Sequence, residues 1–290
     1  MAKTAQLDSL FQEAVTAIDN GKLDDLEKLL NEFPILVEAR LKSAGNWLKE
    51  KVDDALKGFF KDPYLLWFVA EDPVRNNKLP PNIASAAAII INHARNRKVK
   101  TLQKQLDYAL MLVVWSWVAK ENGVQLSLID VLVDAGASLD GTPDAALVNS
   151  NFEAADHLVK RGAKLTLATA ICLDRLNQAK ELIPNTAAKD HQMAFIMAAL
   201  KGKVAGIKML LENIPELNIN KNKSGLYEHA SPLHHAVDSG SLETVKFLVD
   251  AGADLKKRDS AYDGTPLDWA LHLGRNEIVE YLQQLEKERS

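Results

Sequence analysis

The chain has 290 residues, 47% of them apolar and 26% charged, which is the composition of a soluble folded protein rather than a disordered one. Its net charge of −4 gives no electrostatic case for nucleic acid or an anionic membrane as the main partner. The single cysteine, Cys172, excludes an internal disulfide and a zinc site made of several thiolates, and its apolar surroundings predict a buried, unreactive thiol.

The N-terminus and the apolar runs predict a cytoplasmic protein. The first residues have no apolar core followed by a cleavage site of small residues, so we expect no signal peptide. The longest strongly apolar run, 109–119, is too short for a membrane span, which needs about 20 residues. We therefore expect neither a membrane nor a nucleic-acid partner.

The N-terminal part of the chain predicts helices that are irregularly spaced. Residues 11–33 read as a helical hairpin, and Ser9 with Gln12 has the spacing of a capping box for its first helix. Apolar residues at helical spacing over 45–60 predict an inserted amphipathic helix.

The next segment predicts a divergent hairpin with a long internal loop. Residues 62–71 and 82–94 each predict a helix, and Asn82 is placed to cap the second. The prolines in 72–81 make the connection between them an irregular loop.

Recognisable hairpins follow from the middle of the chain onward. An unusually long first helix is predicted over 102–120, and 128–139 reads as its second helix. Further hairpins are predicted over 142–158, a shortened one over 165–182, and one over 190–211.

Four segments share one spacing of residues. Each has a glycine with an alanine four residues before it, an aliphatic residue five after and a leucine eight after. The glycine ends a first helix because it adopts the left-handed conformation without steric cost, and the later aliphatic residues share one face of a second helix. Such a hairpin buries its apolar face only by stacking on copies of itself. The four glycines are Gly21, Gly202, Gly240 and Gly274.

The segment LVDAGADLKKRDSAYDGTP, 248–266, is an expanded copy of an earlier LVDAGASLDGTP and predicts a junction between hairpins. Gly252 is placed just after a helix end, Thr265 caps the next helix, and Pro266 lies in its first turn. The extra residues 256–262 lengthen the loop between them.

These motifs resemble those of ankyrin repeats. SPLHHA at 231–236 and GTPL at 264–267 resemble the TPLHxA signature, and GADL at 252–255 resembles the repeat ending. Pro232 and Pro266 are 34 residues apart, close to the ankyrin period of about 33. The whole chain is similar to bacterial ankyrin-repeat proteins of unassigned activity.

The resemblance implies an all-α fold, an ankyrin-type solenoid of about eight stacked helical hairpins whose N-terminal members are degenerate. A single elongated solenoid is expected over 1–290, divergent in 1–120 and recognisable in 121–290. It also implies that His234 is structural, and that the protein is a non-catalytic module without cofactor or metal. We expect it to bind an unidentified protein or peptide on its concave face, and a monomer is favoured.

Positions of the first helices that the shared spacing leaves free are candidates for partner binding. An exposed tryptophan beside histidine and methionine is typical of a binding hot spot. The alternative is that the tryptophan packs as core under the 256–262 loop. These residues are Met197, His235, Asp238, Trp269 and His272.

The connection 214–230 is longer than an ordinary ankyrin loop, and long ordered loops are often functional. Tyr227 and His229 are its candidates, unless the loop is simply solvated. A secondary candidate set lies in the divergent hairpin, where core packing is the favoured role of the tryptophan but the two charged residues have no evident structural role. The set is Trp67, Glu71 and Arg75.

No phosphate-binding, metalloprotease, nucleophile-elbow or thiol motif occurs in the chain. An alternative function remains: a small-molecule or metal-dependent activity in a pocket formed by the 214–230 loop with His235, Asp238 and His272. A deep polar cleft would favour that alternative, whereas a broad groove with an exposed Trp269 would favour partner binding.

Overall fold

The computed structural model describes residues 2–222 and 224–288. Within them the regular structure is almost entirely helical, and β pairing is confined to an isolated bridge between Arg40 and Tyr64. The predicted all-α fold is confirmed. The chain folds into two compact units, Met1–Lys164 and Leu165–Ser290. The expected boundary near residue 120 therefore lies inside the first unit, and the single solenoid stays a prediction.

In the described residues, no helix combines the length and apolar character that crossing a bilayer requires.

The first unit contains α1 (Ala2–Asp19), α2 (Leu23–Glu32), a 3-10 helix (Pro34–Val37), α3 (Asn46–Lys57), a second 3-10 helix (Leu65–Ala70), α4 (Ile83–Asn96), α5 (Leu102–Trp115), α6 (Trp117–Glu121), α7 (Gln125–Asp134), α8 (Thr142–Val148) and α9 (Phe152–Lys160). The predicted N-terminal hairpin (α1–α2) and inserted helix (α3) are both present.

Three local predictions for this unit are wrong. Ser9 lies inside α1, so it does not cap that helix. The side chain of Asn82 donates to the carbonyl of Gly21 at 2.9 Å instead of capping α4. The long helix predicted over 102–120 breaks at Ser116, whose backbone is extended and whose hydroxyl accepts from Ala119 N at 3.0 Å, which starts α6.

An aromatic cluster forms the core of the first unit around Phe68. Its ring centroid lies 5.2 Å from that of Phe60 and 6.3 Å from that of Trp47. Trp67 packs 4.5 Å from the ring of Tyr108, and only 4% of its surface is exposed. Trp67 therefore has the core role that the sequence favoured, and it is not presented to a partner.

Glu71 and Arg75 form a buried ion pair, so the expectation that they lack a structural role is wrong. Their side chains are 0% and 2% exposed, and Arg75 Nη2 lies 2.7 Å from Glu71 Oε2. Glu71 Oε1 accepts from the backbone N–H of Arg75 at 2.8 Å and of Asn77 at 3.1 Å. Arg75 Nη2 also reaches Asp19 Oδ1 of α1 at 2.8 Å. The pair thus fixes the irregular loop after the second 3-10 helix and attaches it to α1.

The second unit is a series of helical hairpins: α10 (Leu167–Cys172) with α11 (Leu176–Leu182), α12 (Ala188–Leu200) with α13 (Val204–Asn213), α14 (Pro232–Ser239) with α15 (Leu242–Asp250), and α16 (Pro266–His272) with α17 (Asn276–Glu288). The turn glycines have the predicted left-handed conformation, with φ of 65° at Gly202 and 75° at Gly240. Cys172 is buried, as predicted.

Candidate partner-binding cleft

His234 links α14 to the loop that precedes α16. Its Nδ1 accepts from the backbone N–H of Ser231 at 3.2 Å, so Nε2 carries the proton and donates to the carbonyl of Gly264 at 3.0 Å. Burial lowers the pKa of this imidazole, which keeps it neutral at pH 7. The structural role that the resemblance implied for His234 is confirmed.

Asp259 organises the loop between α15 and α16. Its carboxylate accepts from the backbone N–H groups of Ala261, Tyr262 and Gly264 at 2.9, 2.7 and 2.9 Å. It also accepts from the indole Nε1 of Trp269 at 3.0 Å. Burial opposes the charge, but these four donors outweigh it and lower the pKa of Asp259 to about 2. The carboxylate therefore fixes both the loop and the tryptophan.

A cleft of about 480 Å³ opens between α14, α16 and this loop. Its volume falls within the range of 300–1,000 Å³ that is usual for ligand-binding clefts. Tyr262 on its wall is 81% exposed, and Leu273 is 37% exposed. The lining residues are Asp238, Tyr262, Gly264, Asp268, Trp269, His272 and Leu273.

The structure brings together three of the predicted binding residues, Asp238, Trp269 and His272, in this cleft. Trp269 is half-buried and His272 is exposed. The indole packs edge-on against His234, with the ring centroids 5.1 Å apart. Trp269 therefore combines both of the roles that the sequence left open: it packs against the loop and it lines an open surface.

Met197 and His235 are each 2% exposed, so the prediction that they present an open surface is wrong. His235 is covered by Tyr227, Asn222 and Trp269, with its ring centroid 6.1 Å from that of Tyr227 and 6.4 Å from that of Trp269. Burial, with a contribution from the neighbouring His234, lowers the pKa of His235 to about 4.

The 214–230 loop lies against a different cleft. His229, together with Lys257 and Arg258, lines this second cleft of about 230 Å³, and Tyr227 is 46% exposed. The ring centroids of His229 and Trp269 lie 6.1 Å apart, so the two clefts adjoin.

The pocket of the alternative hypothesis is not assembled as predicted, because His235 is buried and none of the described residues of the 214–230 loop lines the first cleft. Across the described part of the chain, no three His, Cys, Asp or Glu side chains are grouped closely enough to hold a metal ion.

Sequence reasoning missed Asp259, Tyr262 and Asp268. The unusual length of 256–262 was a signal for the loop, but not for the residue that would organise it. Asp268 takes the third position of the helix, where Oδ2 accepts from Thr265 N at 2.8 Å and completes a capping box.

We expect Asp259→Asn to lower the free energy of unfolding at pH 7 by about 1 kcal/mol, because the amide accepts more weakly than the carboxylate and adds a donor beside four donors. The native pKa lies below the unfolded value, so this stabilisation is present above about pH 4 and is lost as the pH falls towards 2. Urea unfolding of wild type and variant between pH 7 and 3 measures the difference. A difference that stays constant down to pH 3, or one equal to that of the exposed control Asp250→Asn, contradicts the role of the charge.

Comparison with known proteins identifies the repeats. A family model described as ankyrin repeats (3 copies) matches residues 167–259 and 195–289. The human Notch-regulated ankyrin repeat-containing protein is 37% identical over 100 residues, which are 33% of this chain and 82% of that protein. The chain belongs to the ankyrin-repeat family. The motifs at the α14 and α16 starts are thus ankyrin signatures, as the resemblance suggested.

Two other ankyrin proteins match different lengths of the chain. Human protein phosphatase 1 regulatory subunit 27 is 49% identical over 57 residues, which are 20% of this chain and 36% of that protein. The solved ankyrin repeat domain of human ASB11 is 19% identical to this chain. The match covers 68% of this chain and 96% of that domain, with a TM-score of 0.36. The two relatives compared by sequence are human proteins, and the bacterial resemblance is not shown.

Proposed function

We propose that this ankyrin protein is a non-catalytic module that binds a protein or peptide partner in the cleft between α14, α16 and the 256–265 loop. The observation that carries the proposal is Trp269, a half-buried indole held in place by Asp259 and open to a cleft of about 480 Å³. Rigid aromatic residues in clefts supply large contact areas at a small entropic cost, which makes them frequent hot spots.

The position of the cleft agrees with the way ankyrin repeats are expected to bind. It is built from two consecutive first helices and the loop that joins two hairpins, which are the elements of the expected concave face. The relatives support a partner rather than a substrate, since one of them is named as the regulatory subunit of a phosphatase. Tyr262 and Leu273 add exposed aromatic and aliphatic surface at the rim.

Two leucines of the same helix end provide the test. Leu273 lines the cleft, whereas Leu271 is 53% exposed and does not line it. We expect Leu273→Lys to weaken partner binding about tenfold or more and Leu271→Lys to leave it unchanged, because only the first places a positive charge in the binding surface.

A photo-reactive benzoylphenylalanine at Tyr262 captures the partner, with the same group at Glu243 of α15 as the control position. Crosslinked proteins from a lysate of the source cell are identified by mass spectrometry, and the affinity of each is then measured with the two leucine variants. A partner that crosslinks equally from both positions, or that binds both variants alike, contradicts binding in this cleft.

A further inference from the structure

We infer that the cleft receives a cationic side chain, an arginine or a lysine, of the partner. This inference rests on the proposed function and names the chemistry that the partner must offer.

Apart from His272, the charged residues that line the cleft are carboxylates. Two arginines lie nearby without lining it: Arg275 donates to the backbone carbonyl of Asp238 at 2.8 Å, and Arg258 is close enough to Asp268 to interact with its charge. Asp238 on α14 and Asp268 on α16 contribute carboxylates from the two helical walls of the cleft, and none of the described residues that line it is a lysine or an arginine.

Hydrogen bonds from Thr265 lower the pKa of Asp268, so this group is ionised throughout the neutral range. Lys201 lies close enough to Asp238 to interact with its charge, but it is not part of the lining.

The aromatic residues suit a cation as well. Trp269 and Tyr262 line the same cleft as the two carboxylates, and tryptophan is the side chain that binds an ammonium or guanidinium group best through its ring face. The indole edge is occupied by Asp259, so the ring cannot turn its N–H towards an anionic group of a ligand. Leu273 offers apolar surface to the methylene stem of a long cationic side chain.

The adjoining cleft has the opposite character. It is lined by Lys221, Lys257 and Arg258, with Glu228 as its carboxylate. The two adjoining clefts thus differ in the sign of most of their charged lining residues. This difference makes the first cleft selective for positive charge rather than generally polar.

Short acetylated alanine peptides with one variable central residue test the inference. Arginine, lysine, citrulline, leucine and glutamate are compared, and citrulline matches the shape of arginine without its charge. Binding is followed by the ¹H–¹⁵N signal of the Trp269 indole, assigned with Trp269→Phe. We expect the arginine peptide to bind about tenfold more tightly than the citrulline peptide.

Asp238→Asn should lower the arginine-to-citrulline ratio, with Asp268 and Trp269 supplying the preference that remains, while Asp250→Asn on α15, a carboxylate outside the cleft, should leave the ratio at its wild-type value. Unfolding midpoints establish that both variants are folded, and the leucine peptide provides an affinity that does not depend on charge.

Equal affinities for the arginine and citrulline peptides, or tighter binding of glutamate, overturn the inference but leave the proposed function in place if the leucine peptide still shifts the indole signal. An unchanged arginine preference in Asp238→Asn overturns the assignment to this carboxylate. If no peptide shifts the signal, the cationic inference fails, and the crosslinking experiment decides the proposed function separately.

Discussion

Replacing Glu71 with alanine is expected to lower the free energy of unfolding by about 3–5 kcal/mol, because it leaves a buried charge without its partner. The side chain is 0% exposed, and its loss leaves the guanidinium of Arg75, itself 2% exposed, without its nearest counter-charge. It also leaves the backbone N–H groups of Arg75 and Asn77 without their acceptor. Chemical unfolding followed by intrinsic tryptophan fluorescence measures the loss.

Two controls separate charge from size in this experiment. Glu71→Gln keeps an acceptor for the loop but removes the charge, so it should cost less than alanine, with Asp19 as the remaining partner of Arg75. Glu32→Ala removes an exposed carboxylate of the same unit and should change stability by less than about 0.5 kcal/mol. If the three variants are equally stable, the buried pair does not stabilise the loop.

Gly206→Ala is the second substitution with a large expected effect. It should lower the free energy of unfolding, whereas helix propensity alone would raise it. Gly206 lies within α13, where alanine is normally favoured by about 1 kcal/mol. A Cβ at this position would lie 2.2 Å from Cγ2 of Ile171 in α10, which is 0% exposed. We expect a net loss of about 2 kcal/mol, because the packed isoleucine or the helix must move.

Combining Gly206→Ala with Ile171→Ala tests this cause, because the effect of Gly206→Ala on stability should change sign in the Ile171→Ala background. Ile171→Ala alone should cost about 2–5 kcal/mol through the cavity that it leaves. In that background the nearest remaining atom of residue 171 is Cβ, at 3.5 Å from the new methyl, an ordinary contact. Adding Gly206→Ala should then be neutral or stabilising, and urea unfolding of the four proteins measures the coupling. A destabilisation of the same size in both backgrounds would show that the close approach is not the cause.

Local patterns predicted the parts of the fold that depend on local conformation. The turn glycines were found because only a left-handed conformation ends these helices, and φ at Gly21, Gly240 and Gly274 is 64°, 75° and 65°. The shortened hairpin at 165–182 was also found, although its turn residue is Asp174, with φ of 57°, rather than a glycine. Aspartate tolerates this left-handed conformation, but an aspartate in a sequence does not by itself predict it.

Contacts between distant segments could not be predicted in the same way. Glu71 and Arg75 are four residues apart, a spacing that indicates a pair only on a helix, and here the chain between them is an irregular loop. A glycine is required at 206 because Ile171 of the preceding hairpin packs against it, and no local sequence pattern connects these two residues. Secondary structure came from the sequence, but the partners of these residues came from tertiary packing.

The same distinction applies to the candidate site. Asp238 and His272 occupy one free position of two successive first helices, and Trp269 occupies another, the one equivalent to His235 and Met197. His235 and Met197 are covered by their neighbours, so position in the repeat alone does not determine exposure. The sequence did not predict Asp259 as the acceptor for the loop and for Trp269, because these contacts depend on a loop conformation that Asp259 itself stabilises.

The hydrogen bonds of Asp259 allow some side chains of the loop before α16 to be substituted without changing the conformation of the loop. One carboxylate holds the N–H groups of residues 261, 262 and 264, so the turn takes its shape from backbone contacts and not from the side chains at its tip. Ala261, Tyr262 and Asp263 are all exposed. Asp263 has a left-handed φ of 54° and its carboxylate lies 3.3 Å from Arg258, so it is kept with Asp259 and Gly264. The side chains of residues 261 and 262 can then be varied together, which offers a way to change what the protein recognises without redesigning its scaffold.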